Sequence, residues 1–179
     1  MSLTVIEPPA EPVVSLPELK AFLRVDGDDE DGLITSLAEA AEGMVRSATG
    51  RTLATTTYQL TLGGFPRYGA RLILQRPPIL SVESVTYRDK DGAEQQLSET
   101  AHYYLVNATD VQGEPPALVP VSSHWPGTAE RPEAVTVVYR AGYGTGADVP
   151  HRLRLAIMAL TAHWYETREP VVVGGNVSE

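Results

Sequence analysis

The sequence predicts an α+β protein: a helical core with an inserted antiparallel β-rich module. Two observations carry this. Residues 15–50 and 148–169 show apolar residues at helical spacing, whereas the long stretch between them is rich in Thr, Val, Ile, Leu and Tyr in short runs bounded by Gly, Pro and Asp. The expected organisation is an extended N-terminal arm over 1–14, a helical core from 15–53 and 142–169, a β module over 54–141, and a C-terminal arm over 170–179.

The N-terminal arm follows from Pro8, Pro9 and Pro12, each of which fixes φ and removes a backbone donor. The first helix is expected to begin at Ser15. Ser15 and Glu18 have capping-box spacing, Pro17 is tolerated in a first turn, and Leu16, Leu19, Phe22 and Leu23 share a face. This helix should end near Arg24. After a turn at Gly27, Asp28 or Asp29 is the expected N-cap of the second helix. Its apolar stripe reads Leu33, Leu37, Ala40, Ala41, Met44 and Ala48, and Gly50 can supply a left-handed C-terminal cap.

At least five short strands are expected from TTTYQLTLG, RLILQR, SVESVTYRD, HYYLVNA and AVTVVYRA. Asp91-Gly92 is a hairpin turn signal. The third helix should start near Asp148 with Pro150 in its first turn, and its stripe is Leu153, Ala156, Ile157, Leu160 and Trp164.

Composition narrows the function. The chain has 179 residues, no Cys and a formal charge of −9, from 14 Lys and Arg against 23 Asp and Glu. Neither disulfides nor thiolate chemistry is possible. Tight DNA binding depends on neutralising phosphates, which this balance disfavours. No apolar run approaches the roughly 20 residues of a membrane helix, and the acidic, proline-broken start is unlike a signal peptide.

Candidate chemical sites each have a simpler structural account. Gly142, Gly144 and Gly146 lie between a strand and a helix, but they lack the spacing and partners of a phosphate loop, so a mobile turn is expected. His163 and Glu166 are one helical turn apart with no second such pair among the four histidines, too few ligands for a metal. The acids from Asp26 to Asp31 do not complete a calcium-loop pattern and suit helix capping. No G-x-S-x-G elbow occurs. Tyr103, Tyr104 and Tyr139 sit on strands with few basic neighbours, as core or edge residues do. No catalytic residue, metal or cofactor is assigned.

Several segments in order, VSLPELKAFLRVD, DDED, ATGR, RPPILSVESVTYRD, AGYG with DVP, and AHWYETRE, resemble the head–tail connector (adaptor) proteins of tailed bacteriophages and gene transfer agents. The resemblance spans about Val14 to Glu169. It implies a non-enzymatic virion protein made in the bacterial cytoplasm and placed at the head–tail interface. There a twelve-fold ring would dock beneath the portal protein, extend the DNA channel and meet a stopper or tail-completion protein, with DNA passing through without specific binding and no membrane partner. A stopper or tail-completion role in the same particle is the alternative, and a small hydrolase or nucleotide-binding enzyme is a more distant one. Sequences of that family usually continue past VVVGG, which implies a short or trimmed tail here. The family motifs are structural, so contact residues are argued physically. Pro170, Val171, Val172, Val173, Gly174 and Gly175 form a valine run between a helix stop and a flexible joint, and Trp164 and Tyr165 precede it. Together they are the expected partner-docking segment, by strand addition or groove insertion.

Overall fold

The computed structural model describes residues 1–109 and 113–167. Within them are three α-helices and eight strands: β1 (Ser2–Glu7), α1 (Leu16–Leu23), α2 (Asp31–Thr49), β2 (Thr56–Leu62), β3 (Leu72–Ile73), β4 (Ile79–Arg88), β5 (Glu94–Leu97), β6 (Tyr103–Val106), β7 (Ala117–Pro120), β8 (Val135–Ala141) and α3 (His151–Thr167). The fold is α+β, as the sequence predicts. The chain divides into a β unit, Met1–Val13 with Arg46–Val149, and a helical unit, Val14–Val45 with Pro150–Glu179.

The β unit contains two antiparallel sheets, one in the order β1-β2-β8-β4-β5 and one in the order β3-β7-β6. The central strand β8 is paired along its whole length with β2, from Thr56 opposite Ala141 to Leu62 opposite Val135. Its alternate residues Val135, Val137, Tyr139 and Ala141 are buried. This two-residue period is what a sheet with one face on a core requires. The core takes Tyr58 and Leu60 from β2, Val85 from β4 and Leu97 from β5. From the second sheet it takes Leu72, Tyr103 and Leu118. Tyr139 is fully buried, stacks on Tyr58 at 5.8 Å and donates its hydroxyl to the Gln75 carbonyl at 2.9 Å. Burial pushes its ionisation well above the usual tyrosine range. Tyr103 is also buried and Tyr104 is about half exposed at the sheet edge, so these tyrosines pack as core and edge residues.

The five quoted strands are present, β5 completes the hairpin signalled at Asp91-Gly92, and two further strands were not anticipated. The first is β1. Residues 1–14 are read from their prolines as an arm, yet Ser2–Glu7 is the edge strand of the larger sheet, paired with β2 from Ser2 opposite Thr61. The prolines lie beyond it and limit the strand rather than preventing it. The other is β7, which like β5 has four residues and is defined by its partners. The hairpin between β4 and β5 turns at Asp91-Gly92 as expected, with Gly92 at φ +87. The Asp89 carboxylate accepts hydrogen bonds from the Gln95 side-chain amide and from the Ala93 and Asp91 backbone, which hold it below the usual carboxylate range.

In the helical unit α1 starts where its cap requires. The Glu18 carboxylate accepts from the Ser15 backbone N–H at 3.0 Å and from its hydroxyl at 2.8 Å. Arg24, in the left-handed conformation, ends the helix. The helix contacts α3, where Arg154 pairs with Glu18. Two expectations for α2 need correction. Its first residue is Asp31, so neither Asp28 nor Asp29 caps it, and the Asp28 carboxylate is engaged by Lys20 at 2.6 Å. Its buried residues are Ile34, Ala41 and Val45, whereas Leu33 and Met44 are 40% and 53% exposed. The helix is rotated about one residue, ~100°, from the expected stripe. Gly50 has the expected left-handed φ of +66. In α3, Ile157 is buried and Leu153, Ala156, Leu160 and Trp164 are half-buried, as the spacing predicts.

Candidate functional site

The end of α3 holds the two described members of the expected docking segment. Trp164 and Tyr165 are both half-buried. The Tyr165 hydroxyl donates to the Glu30 carboxylate, so this side chain ties α3 to the turn before α2. Pro170, Val171, Val172, Val173, Gly174 and Gly175 lie outside the described residues. His163 is exposed at the same end of α3.

The acidic turn is organised by one lysine. Lys20 reaches Asp28 at 2.6 Å and Asp31 at 2.8 Å, so α1 is tied to the start of α2. The hydrogen bond to Asp28 raises the Lys20 ammonium, and the same contact lowers the Asp28 carboxyl. Among the described residues no group of three or more metal-ligating side chains could hold an ion.

The glycine turn after β8 is packed rather than mobile. Gly142 donates to the Pro78 carbonyl at 2.8 Å, Tyr143 donates to Leu53 at 2.8 Å, and the Gly144 carbonyl accepts from Thr55 at 2.8 Å. Gly142 has φ +124, and a Cβ there would lie 2.7 Å from the Ala54 carbonyl oxygen. Glycine is required by this close approach of backbones. The turn ends in a short 3-10 helix, Gly146–Asp148. There the Asp148 carboxylate accepts from the Thr145 hydroxyl at 2.7 Å and its N–H at 2.8 Å, and is held below its usual range by them.

A groove of about 820 Å³ lies between this turn and Ile6–Glu11, floored by Thr57, Glu83, Val138 and Arg140. Four carboxylates line it, those of Glu7, Glu11, Glu83 and Asp148, and three of them are committed locally. Glu7 accepts from Thr57 at 2.9 Å, Glu83 from Ser81 at 2.7 Å, and Asp148 from Thr145. A general acid or base needs a carboxyl poised to exchange its proton with a substrate, and these three serve as acceptors within turns and strands.

A feature missed in the sequence is the loop between β2 and β3. Tyr68 at its tip is 95% exposed with φ 57 and ψ 33. Behind it Phe65 stacks on Trp125 at 4.8 Å, with the rings 4° from parallel, and the Trp125 indole donates to the Ala70 carbonyl at 2.9 Å. Turn-forming residues in GGFPRYGAR mark a loop. The only signal of anything further is the number of large side chains, Phe65, Arg67, Tyr68 and Arg71, in so short a turn.

The fold and these surfaces define an α+β protein with two antiparallel sheets around one core and a separate helical unit. The chain belongs to the head completion protein family, whose model matches residues 12–177. Solved structures with similar folds come from gene transfer agent (GTA) particles. A chain of the virion of a native GTA particle is 21% identical with a TM-score of 0.80, covering 98% of this chain and 90% of that one. A chain from the neck of an empty GTA particle, computed with C6 symmetry, is 21% identical with a TM-score of 0.78, covering 97% and 88%. A chain from the neck of a native GTA particle, computed with C12 symmetry, is 24% identical with a TM-score of 0.70, covering 98% and 89%. No curated protein matches the sequence.

Proposed function

We propose that this protein is a ring-forming head–tail adaptor, a non-enzymatic virion component that docks beneath the portal and extends the DNA channel toward the tail. The observation that carries the reading is the near full-length fold shared with neck chains of particles computed with C6 and C12 symmetry. Membership of the head completion family supports it. So does the local commitment of three of the groove's four carboxylates to turns and strands. Synthesis and assembly are in the bacterial cytoplasm. DNA passes through without specific contact, and the tail side meets a stopper or tail-completion protein.

Electron microscopy of intact particles tests this directly. A ring of this chain in contact with the portal is the expected result. Density one layer further from the head would make it a stopper or tail-completion protein, and density only in the capsid shell or tail tube would remove the neck role.

Within this role Pro170–Gly175 is the docking arm, with Trp164 and Tyr165 at its root. A proline cannot continue a helix, valines favour strand addition, and paired glycines suit a joint. Deleting residues 170–179 should leave the melting temperature of the purified protein nearly unchanged and abolish incorporation into particles. Normal incorporation of the truncated chain would sink the arm.

A further inference from the structure

The tip of the β2–β3 loop presents an aromatic residue in a conformation that its surroundings enforce. A left-handed backbone is unfavourable for an L-residue other than glycine, and persists only where neighbouring structure over-determines it. Here the clamps are visible on both sides of Tyr68. Before it, Pro66 fixes its own φ, and Phe65 is stacked on Trp125. After it, Gly69 has φ +66 and lies so close to Ser123 that a Cβ would stand 2.1 Å from the Ser123 carbonyl oxygen. The Ala70 N–H returns to the Arg67 carbonyl at 3.1 Å, and its own carbonyl holds the Trp125 indole. The packing that buries Phe65 and Trp125 leaves the Tyr68 ring in solvent.

The loop is also distinct in charge. Between Gly63 and Val82 there are three arginines, Arg67, Arg71 and Arg76, and no Asp or Glu, in a chain with 23 acids. Arg71 pairs with Glu114 at 3.3 Å, and Arg76 donates to the Arg46 carbonyl at 3.5 Å. Arg67 is exposed and has no ion-pair partner among the described residues. A rigid exposed tyrosine beside an exposed arginine has the composition of an interface anchor, because little freedom remains to be lost on docking.

We infer that the Arg67–Tyr68 tip is one half of a head-to-tail contact between copies of this chain: the Tyr68 ring enters an apolar recess on the next copy, and Arg67 meets carboxylates at its rim. This rests on the self-association in the proposed function. A contact that closes a ring joins two unlike patches of one chain. A basic, acid-free loop on a chain of net charge −9 supplies the unlike member, and the rest of the same chain supplies the acids. DNA fits less well, because affinity for phosphate grows with the number of cations brought to it and this tip brings one.

The test replaces Tyr68 with the photo-crosslinking residue p-benzoylphenylalanine, assembles particles, irradiates them and maps the products by mass spectrometry. The expected product joins two copies of this chain. Crosslinks to a different virion protein or to DNA overturn the inference, as does the absence of crosslinks in particles whose necks carry the variant. Absence of the wild-type chain from necks would instead defeat the proposed function itself. Arg67→Glu and Arg67→Lys decide the case in which the bulky residue keeps the variant out of particles. Arg67→Glu should lower copies per particle about tenfold with Arg67→Lys near wild type, on the scale of interface anchors. Equal incorporation of all three overturns the contact.

Discussion

At the scale of single residues, polar groups in this protein mostly fix where elements begin and end. Glu18 shows how this links to pH. Its carboxyl is held below the usual range first by the Ser15 N–H, then by the Ser15 hydroxyl and Arg154. A carboxyl with a lowered folded-state pKa contributes stability that is complete above the unfolded value and is lost as pH falls through the folded value. The side chain is 47% exposed, so solvent screens much of the effect. Glu18→Gln should therefore cost only about 0.5 kcal/mol near neutral pH, the low end for a helix cap. Thermal melts of both proteins between pH 7 and pH 3 should converge at the acid end. A gap that stays constant across that range would show that the ionised carboxylate is not what stabilises the cap. This cap could be read directly in the sequence, because Ser15 and Glu18 are three residues apart. The Lys20 contacts with Asp28 and Asp31 could not, because they depend on how α1 turns into α2.

At the scale of elements, α2 shows why periodicity finds a helix more readily than its orientation. Its apolar residues come in adjacent pairs, Leu33 with Ile34, Ala40 with Ala41, and Met44 with Val45. Neighbours on a helix differ by ~100°, so the pairs mark an apolar arc about twice the width of a single stripe. The fold buries the second member of each pair and leaves Leu33 and Met44 substantially exposed. Ile34→Ala should cost about 3 kcal/mol, in the range for deleting a buried aliphatic side chain. Leu33→Ala should cost less than about 1 kcal/mol, as exposed positions do. Urea unfolding of the two variants measures both, and the reverse order would place the buried face on Leu33. A related limit explains the missed strands. Strand β7 is too short for alternation to register and β5 is signalled only by its turn; they exist because β6 and β4 pair with them. In β1 the strand-forming run Leu3 to Ile6 was present, but the nearby prolines dominated the reading.

At the scale of the whole molecule, the fold class could be read because the two helical stretches and the strand-rich stretch differ in hydrophobic period over many residues. The Tyr68 tip could not, since its presentation depends on Ser123 and Trp125, more than 50 positions along the chain. Charge is legible at this scale without any structure. Acids outnumber Lys and Arg by 23 to 14, and several of the arginines are engaged with partners: Arg88 with Glu94, Arg71 with Glu114 and Arg154 with Glu18. With acids in excess, the net field repels a duplex. A channel wall benefits from this balance, because phosphate contacts strong enough to hold DNA would oppose its passage. Fluorescence anisotropy with a labelled duplex at 150 mM salt should accordingly give a Kd weaker than about 10 μM, independent of sequence and with a shallow salt slope. Sub-micromolar binding that discriminates between sequences would mean that the protein grips DNA, and would contradict a passive conduit.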